Sequence, residues 1–287
     1  MSSKQLQLFS SDICTPKVIN VSSVPQRSPF RYAGGKTWLV PTIRKWLSSK
    51  GGKRLIEPFC GGGIVSLTAA AEELAESIIM VEIDESVAAV WEVILNNPDW
   101  LIGQILAFDM NRENVFSLLQ AEHKSIEEVA FATIIRNRTN HGGIITKGAG
   151  LLKNGENGKG IGSRWYPDTL AKRIKNIVAH KHKISFIKGN AFDFLNDNYY
   201  NQSTYFFIDP PYSIAGKRLY THNEINHDEL LKRVSLMKSH YLVTYDKCDY
   251  IISLVEKYNL KWQTIPMTTT HHKVKEELII SDNFNWI

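Results

Sequence analysis

Apolar positions along the chain follow two periods, and the order in which the periods alternate predicts the fold. Near Trp38 the spacing is helical: Leu39, Ile43, Trp46 and Leu47 share a face, and Gly51-Gly52 ends the run. "RLIEPF" (Arg54 to Phe59) predicts a strand that runs into "CGGG" (Cys60 to Gly63), with the helix "IVSLTAAAEELA" behind it. "SIIMVEID" (Ser77 to Asp84) predicts a second strand ending in an acid, and "ESVAAVWEVI" the next helix. Strand, loop, helix, strand, helix implies a parallel sheet. Strand patterns return at "ISFIKGN" (Ile184 to Asn190), "TYFFIDPPY" (Thr204 to Tyr212), "HYLVTYD" (His240 to Asp246), "LKWQTIPM" (Leu260 to Met267) and "EELIISD" (Glu276 to Asp282). The last two are close enough to pair as an antiparallel ribbon.

Between these halves the pattern changes. Pro98 sits where a first-turn proline belongs, with Asn97 as its candidate cap. Ser125 and Glu128 have capping-box spacing before the apolar run Val129 to Ile135. From Gly142 to Gly162 there is no periodicity and eight glycines occur, a stretch expected to be functional or disordered. Helical spacing resumes with Leu170, Ile174, Ile177 and Val178. The layout is an N-terminal arm (1–27), an α/β domain in two pieces (28–96 and 184–287) and an inserted segment (97–183).

Composition sharpens this in one place. The 287 residues, 43% hydrophobic and 22% charged, suffice for one large core or two smaller ones. No apolar run approaches a membrane span, and the N-terminus lacks a secretory pattern. Cys14, Cys60 and Cys248 are scattered, which points to a reduced cytoplasm and to no structural zinc. The net charge is only +5, but Phe131 to Lys183 holds eleven Lys/Arg against two acids. That local +9 leaves −4 for the rest of the chain. A solvated helix face would account for it; a surface for nucleic-acid phosphates accounts for it better.

Three short motifs carry candidate chemistry. "PFRYAGGKT" (Pro29 to Thr37) ends like a phosphate-binding loop, yet Phe30 stands where that loop needs glycine, and the preceding "SVPQRSP" is a poor strand. The Ala-Gly-Gly turn with Lys36 still suits an anion, phosphate or carboxylate. "EPFCGGG" places a ligand at the carboxyl end of a strand, beside a helix N-terminus. Ser66 breaks the dinucleotide fingerprint, while Asp84 lies where a carboxylate takes ribose hydroxyls, so a nucleoside-containing cofactor is expected. A plain glycine turn with a surface acid is the alternative. "DPPY" (Asp209, Pro210, Pro211, Tyr212) puts a carboxylate, carbonyls without competing N–H groups and an aromatic ring on a rigid loop. That set suits a planar group bearing an exocyclic amine, although a proline turn closing a strand would have the same sequence.

"FRYAGGK", "EPFCGGG", "VEID" and "IDPPY", in this order, resemble the Dam-type (D12 class) DNA adenine N6-methyltransferases. "NRTNHGG" (Asn137 to Gly143) is similar to that family's insertion motif and "KVKEELIIS" (Lys273 to Ser281) to its C-terminal strand. The resemblance implies a Rossmann-like methyltransferase sheet with a C-terminal antiparallel strand pair and a mainly helical inserted DNA-recognition domain. It implies S-adenosylmethionine as cofactor, held by Tyr32, Lys36, Phe59, Gly61, Gly63, Asp84, Asp193 and Asp209. Lys36 would pair with the methionine carboxylate and Asp84 with the ribose. Asp209, Pro210, Pro211 and Tyr212 would be catalytic on an adenine flipped from duplex DNA. Tyr32 stands where the family more often has tryptophan, and the glycine-rich middle departs from its pattern, so the target sequence stays open. Arg136, Arg138, Asn140, Lys147 and Arg164, with Lys217 and Arg218 after the tetrad, are the DNA-contact candidates. No metal is implied, since His271-His272 lack ligand partners at suitable spacing. A monomeric, cytoplasmic, nucleoid-associated protein of bacterial or phage origin is expected. In the arm, Gln5, Leu6, Leu8 and Phe9 resemble the peptide by which bacterial proteins bind the replicative sliding clamp. An N4-cytosine or RNA methyltransferase, or a DNA-binding relative without turnover, are the competing readings.

Overall fold

The structure, a computed structural model, describes residues 23–31, 35–49, 54–146, 149–195, 203–212, 225–268 and 274–287. Tyr32, Lys147, Lys217, Arg218, His271, His272 and the arm residues Gln5, Leu6, Leu8 and Phe9 lie outside these.

Seven strands form one sheet in the order β3-β2-β1-β4-β5-β7-β6. They are β1 (Arg54–Glu57), β2 (Ser77–Glu82), β3 (Ile184–Lys188), β4 (Thr204–Ile208), β5 (His240–Asp246), β6 (Trp262–Thr268) and β7 (Val274–Ser281). β1 to β5 are parallel. β7 runs antiparallel to both β5 and β6, the ribbon expected from the sequence. Because β2 lies on one side of β1 and β4 on the other, the sheet reverses direction there. The crevice outside the carboxyl ends of β1 and β4 is where open α/β sheets bind ligands.

Period-two alternation sends side chains to two cores. Leu55, Ile78, Tyr205, Phe207, Leu242 and Ile279 face one, and Ile56, Phe206, Ile208, Val243, Leu278 and Ile280 face the other. The first is covered by α1 (Val40–Ser48), α2 (Ile64–Ala71) and α3 (Glu85–Asn96). The second is covered by α9 (His227–Leu236) and α10 (Asp249–Lys257). β4 is buried along its whole length, which is why it reads as an unbroken apolar run.

The inserted segment supplies α4 (Pro98–Ala107), α5 (Arg112–Gln120), α6 (Ile126–Thr139) and α7 (Pro167–Ala179). A short α8 (Ala191–Phe194) follows β3. Leu101, Ile105, Phe131, Ile134, Leu170 and Ile174 of the insertion belong to the same apolar cluster as α1 to α3, so insertion and sheet share a core. The capping box forms: the Glu128 N–H donates to Ser125 Oγ at 3.2 Å, and the Ser125 N–H to Glu128 Oε2 at 3.3 Å. Asn97 does not cap α4 with its side chain, which reaches Glu127 Oε1 at 3.3 Å instead. The glycine-rich stretch holds 3-10 turns at His141–Gly143, Glu156–Gly158 and Ile161–Arg164, and one bridge between Asn140 and Leu151.

Candidate active site

The loop after β1 is built so that only glycine fits at its last position. Gly63 begins α2 at φ +63°, and an added Cβ would lie 2.6 Å from Met80 Cε and 2.9 Å from the Trp91 ring. Trp91 Nε1 donates to the Gly61 carbonyl at 2.9 Å, and the Gly61 N–H donates to Glu82 at 2.9 Å. Glu82 also accepts from the N–H groups of Ile83 and Asp84, both at 2.9 Å. Burial pushes the Glu82 carboxyl up to about 7 despite these bonds. Asp84 caps α3 through Oδ1, which accepts from Ser86 at 2.9 Å and Val87 at 3.1 Å. Its Oδ2 has no hydrogen bond among the described residues. Phe59 is partly buried beside this loop, and Asp193 is exposed on α8, past the carboxyl end of β3.

Below the loop, Glu57 is buried and accepts from the Ser66 N–H at 3.0 Å and from the Ser66 hydroxyl. Burial raises its carboxyl to about 8, against the pull of Ser66, so Glu57 is neutral at pH 7. An unfolded glutamate ionises near 4.5, so between about 4.5 and about 8 the folded chain keeps a proton that the unfolded chain has released. The stability this contributes is full below that window and is lost as pH rises through it. Glu57→Gln removes the dependence. Thermal melts at about pH 6 and about pH 9 are expected to show a smaller drop for the variant than for the native chain.

The loop after β4 meets residues from three other elements. Asp209 Oδ1 accepts from Lys36 Nζ at 2.9 Å and from Thr244 Oγ1 at 2.6 Å, and the Tyr212 hydroxyl lies 3.4 Å away. Asp209 Oδ2 has no hydrogen bond among the described residues, and the side chain is 21% exposed. Lys36 is 3% exposed, 4.9 Å above the Tyr212 ring and 4.0 Å from Glu277 Oε2. Burial works against its charge, but Asp209 and Glu277 outweigh that and raise it, so the ammonium persists. Lys36 therefore sits on Asp209; the resemblance implied a pairing with the methionine carboxylate of the cofactor. Glu277 is 4% exposed; burial lifts it to about 7, Lys36 pulls it down, and Asp209 and Asp246 push it up. Its Oε2 lies 3.4 Å from the Tyr212 hydroxyl. Thr244, Glu277, Glu57 and Glu82 are site residues that motif reading passed over.

The insertion motif serves the fold more than the surface. Asn137 is fully buried: its Oδ1 accepts from the Arg31 N–H at 2.8 Å, and its Nδ2 donates to the carbonyls of Arg31 at 3.0 Å and Gly143 at 2.7 Å. Gly143, at φ +75°, has no room for a Cβ, which would stand 2.3 Å from the Arg31 carbonyl oxygen. Arg138, 5% exposed, donates to the Pro29 carbonyl, and Arg173 to that of Ser28 at 3.0 Å. Asn140, 2% exposed, donates to the Ile144 carbonyl at 2.7 Å. Arg138 and Asn140 are thus committed to backbone carbonyls in the interior, contrary to the expected DNA contact. Arg164 bridges Glu156 at 2.7 Å and the Asn140 carbonyl at 3.1 Å. Arg136 is half-buried with no side-chain hydrogen bond among the described residues, and Asp84 is the charge acting on it. Asn137→Ala strands one N–H and two carbonyls. It is expected to lower the unfolding free energy by at least about 3 kcal/mol, measured in urea, at about 1–3 kcal/mol for each buried group left unpaired.

A model of the D12 class N6 adenine-specific DNA methyltransferases matches residues 32–269. The chain belongs to that family. In this D12-class methyltransferase the matched range runs from the Lys36 turn through β6, and Glu277 lies beyond it. The sheet is the expected Rossmann-like methyltransferase sheet. The Type II methyltransferase M.MjaIII of Methanocaldococcus jannaschii is 24% identical over 259 residues, which span 81% of this chain and 85% of that protein. Among solved structures, a precorrin-6y C5,15-methyltransferase from Geobacter metallireducens aligns at 10% identity over 87% of this chain and 92% of its own, with a TM-score of 0.36. The rRNA methyltransferase aviRa from Streptomyces viridochromogenes aligns at 12% identity over 85% and 84%, with a TM-score of 0.39. Likeness at that level carries nothing about the chemistry of this DNA methyltransferase.

Proposed function

We propose that this DNA methyltransferase transfers a methyl group from S-adenosylmethionine to the N6 amine of an adenine flipped out of duplex DNA. The observation that carries the reading is Asp209, at the carboxyl end of β4: donors converge on Oδ1, while Oδ2 has no hydrogen bond among the described residues. An open carboxylate oxygen accepts an amine hydrogen, and an acid at this position favours adenine N6 over the N4-cytosine alternative.

The residues of the crevice suit the cofactor. The open Oδ2 of Asp84 accepts ribose hydroxyls, Gly61 and Gly63 let the backbone approach closely, and Phe59 and Asp193 flank the adenine end. Tyr32 completes the set in this reading. When bound, S-adenosylmethionine supplies an electrophilic methyl on a sulfonium. The chain's own part is positioning and electrostatics. Asp209 Oδ2 and the Pro210 carbonyl accept the N6 hydrogens, Pro211 keeps the loop rigid, and Tyr212 stacks on the base. Arg164, Lys147, Lys217 and Arg218 contact the duplex, and Arg136 lies at the Asp84 end of the crevice. Among the described residues no helix is long and apolar enough to cross a membrane.

The test is tritium transfer from labelled cofactor to unmethylated DNA, followed by nucleoside analysis. N6-methyladenine is expected; label in N4-methylcytosine, or in RNA alone, would overturn the reading. Clamp binding through Gln5, Leu6, Leu8 and Phe9 is a separate proposal, checked by recovery of purified clamp on the native chain and on a Leu8→Ala/Phe9→Ala double variant. Equal recovery would remove it.

A further inference from the structure

Three features meet at Glu277. It is a nearly buried carboxylate on the last strand of the chain. The Tyr212 hydroxyl, with a single hydrogen to give, stands 3.4 Å from Glu277 Oε2 and the same 3.4 Å from Asp209 Oδ1. Lys36 is shared in the same way, at 2.9 Å from Asp209 and 4.0 Å from Glu277. The two carboxylates therefore compete for one hydroxyl hydrogen and one ammonium.

We propose that Glu277 is a positioning residue for methyl transfer: its ionised carboxylate draws the Tyr212 hydrogen and part of the Lys36 charge away from Asp209, leaving Asp209 with the electron density that holds N6. The inference rests on the adenine reading above. As N6 bonds to the methyl carbon, the carbon–sulfur bond breaks with its electron pair left on sulfur, positive charge moves onto N6, and one N6 hydrogen then leaves as a proton through Asp209 to solvent. With Glu277 ionised, Lys36, Asp209 and Glu277 sum to one negative charge facing that nitrogen; with Glu277 protonated they sum to none. Preorganised charge of the right sign at the developing centre is the larger source of acceleration. A protonated Glu277 also releases Tyr212 to donate to Asp209, which weakens Asp209 further as an acceptor.

Among the described residues, the groups facing Glu277 are Lys36 from the turn before α1, Asp209 and Tyr212 from the loop after β4, and Asp246, its cross-strand partner on β5. On β6 its partner is Ile265, which does not titrate. Burial lifts the Glu277 carboxyl to about 7, so the rate is expected to rise as pH climbs through that value.

The experiment compares single-turnover methyl transfer to unmethylated DNA against pH for the native chain, Glu277→Gln and Glu277→Asp. Each variant is first checked for folding by circular dichroism. For Glu277→Gln the expected result is a rate about tenfold lower above the titration, with the rising limb gone and the KM for S-adenosylmethionine little changed. Glu277→Asp keeps the charge and is expected to keep the limb. A Glu277→Gln profile that is lowered evenly, with its limb intact, would assign the titration to Glu82 or Glu57 and overturn the proposal. A native chain that methylates no adenine at any pH would instead overturn the adenine reading beneath it.

Discussion

Asp209→Ala is expected to lower methyl transfer by between ~10²- and ~10³-fold while leaving DNA retention on a filter unchanged. The loss follows from geometry. The carboxylate ties one oxygen to Lys36 and Thr244, while its other oxygen has no hydrogen bond among the described residues. Without it, N6 keeps hydrogen bonds only to the Pro210 carbonyl and its lone pair stays delocalised into the ring. Asp209→Asn is expected to fail as badly, because its amide presents hydrogens to an amine that needs acceptors. Duplex binding should persist, since it rests on basic groups elsewhere. Methyl transfer at the native rate by either variant would place the chemistry on another residue.

The second large effect is expected at Lys36→Met. The substitution keeps the length of the side chain and removes an ammonium that is 3% exposed between two carboxylates. Removing one partner from a buried ion pair costs about 3–5 kcal/mol, because the remaining charge has no compensation. The urea midpoint should fall accordingly. Glu277, already held at about 7, loses the cation that pulls it down and moves higher. A carboxyl so raised is ionised only above its new value, so the rising limb of the rate should move to higher pH. Urea midpoints indistinguishable between Lys36→Met and the native chain would mean that the pair carries no weight in folding.

Much of the site was legible because it sits at strand ends. "EPFCGGG", "VEID" and "IDPPY" each follow an apolar run, and a parallel sheet brings such ends to one edge. What could not be read was placed by contacts distant in sequence. Glu277 reaches Tyr212 across 65 positions, and Asn137 reaches Arg31 across 106. The sequence does not single out Glu277, which follows Lys275 and Glu276 and precedes the apolar run Leu278 to Ile280. α5 and α9 went unpredicted because their apolar faces are mixed with charge, and α10 went unpredicted although Ile251, Leu254 and Val255 share a buried face. The basic excess of the insertion was real, but a charge count does not separate cations that face solvent from those that hold carbonyls. Arg138 and Arg173 spend their guanidinium groups on the backbone at Pro29 and Ser28, while Arg164 divides its own between Glu156 and the Asn140 carbonyl.

Those same bonds bear on any attempt to change the target sequence by grafting. α6 and its following turn grip Pro29 and Arg31 through Asn137, Arg138 and Gly143, and α7 holds Ser28 through Arg173, so the piece that would be exchanged is stitched to the segment that leads into Lys36. A chimera that takes the insertion from a relative without residues 28–31 inherits half of a fitted joint, and the donor and acceptor halves must travel together.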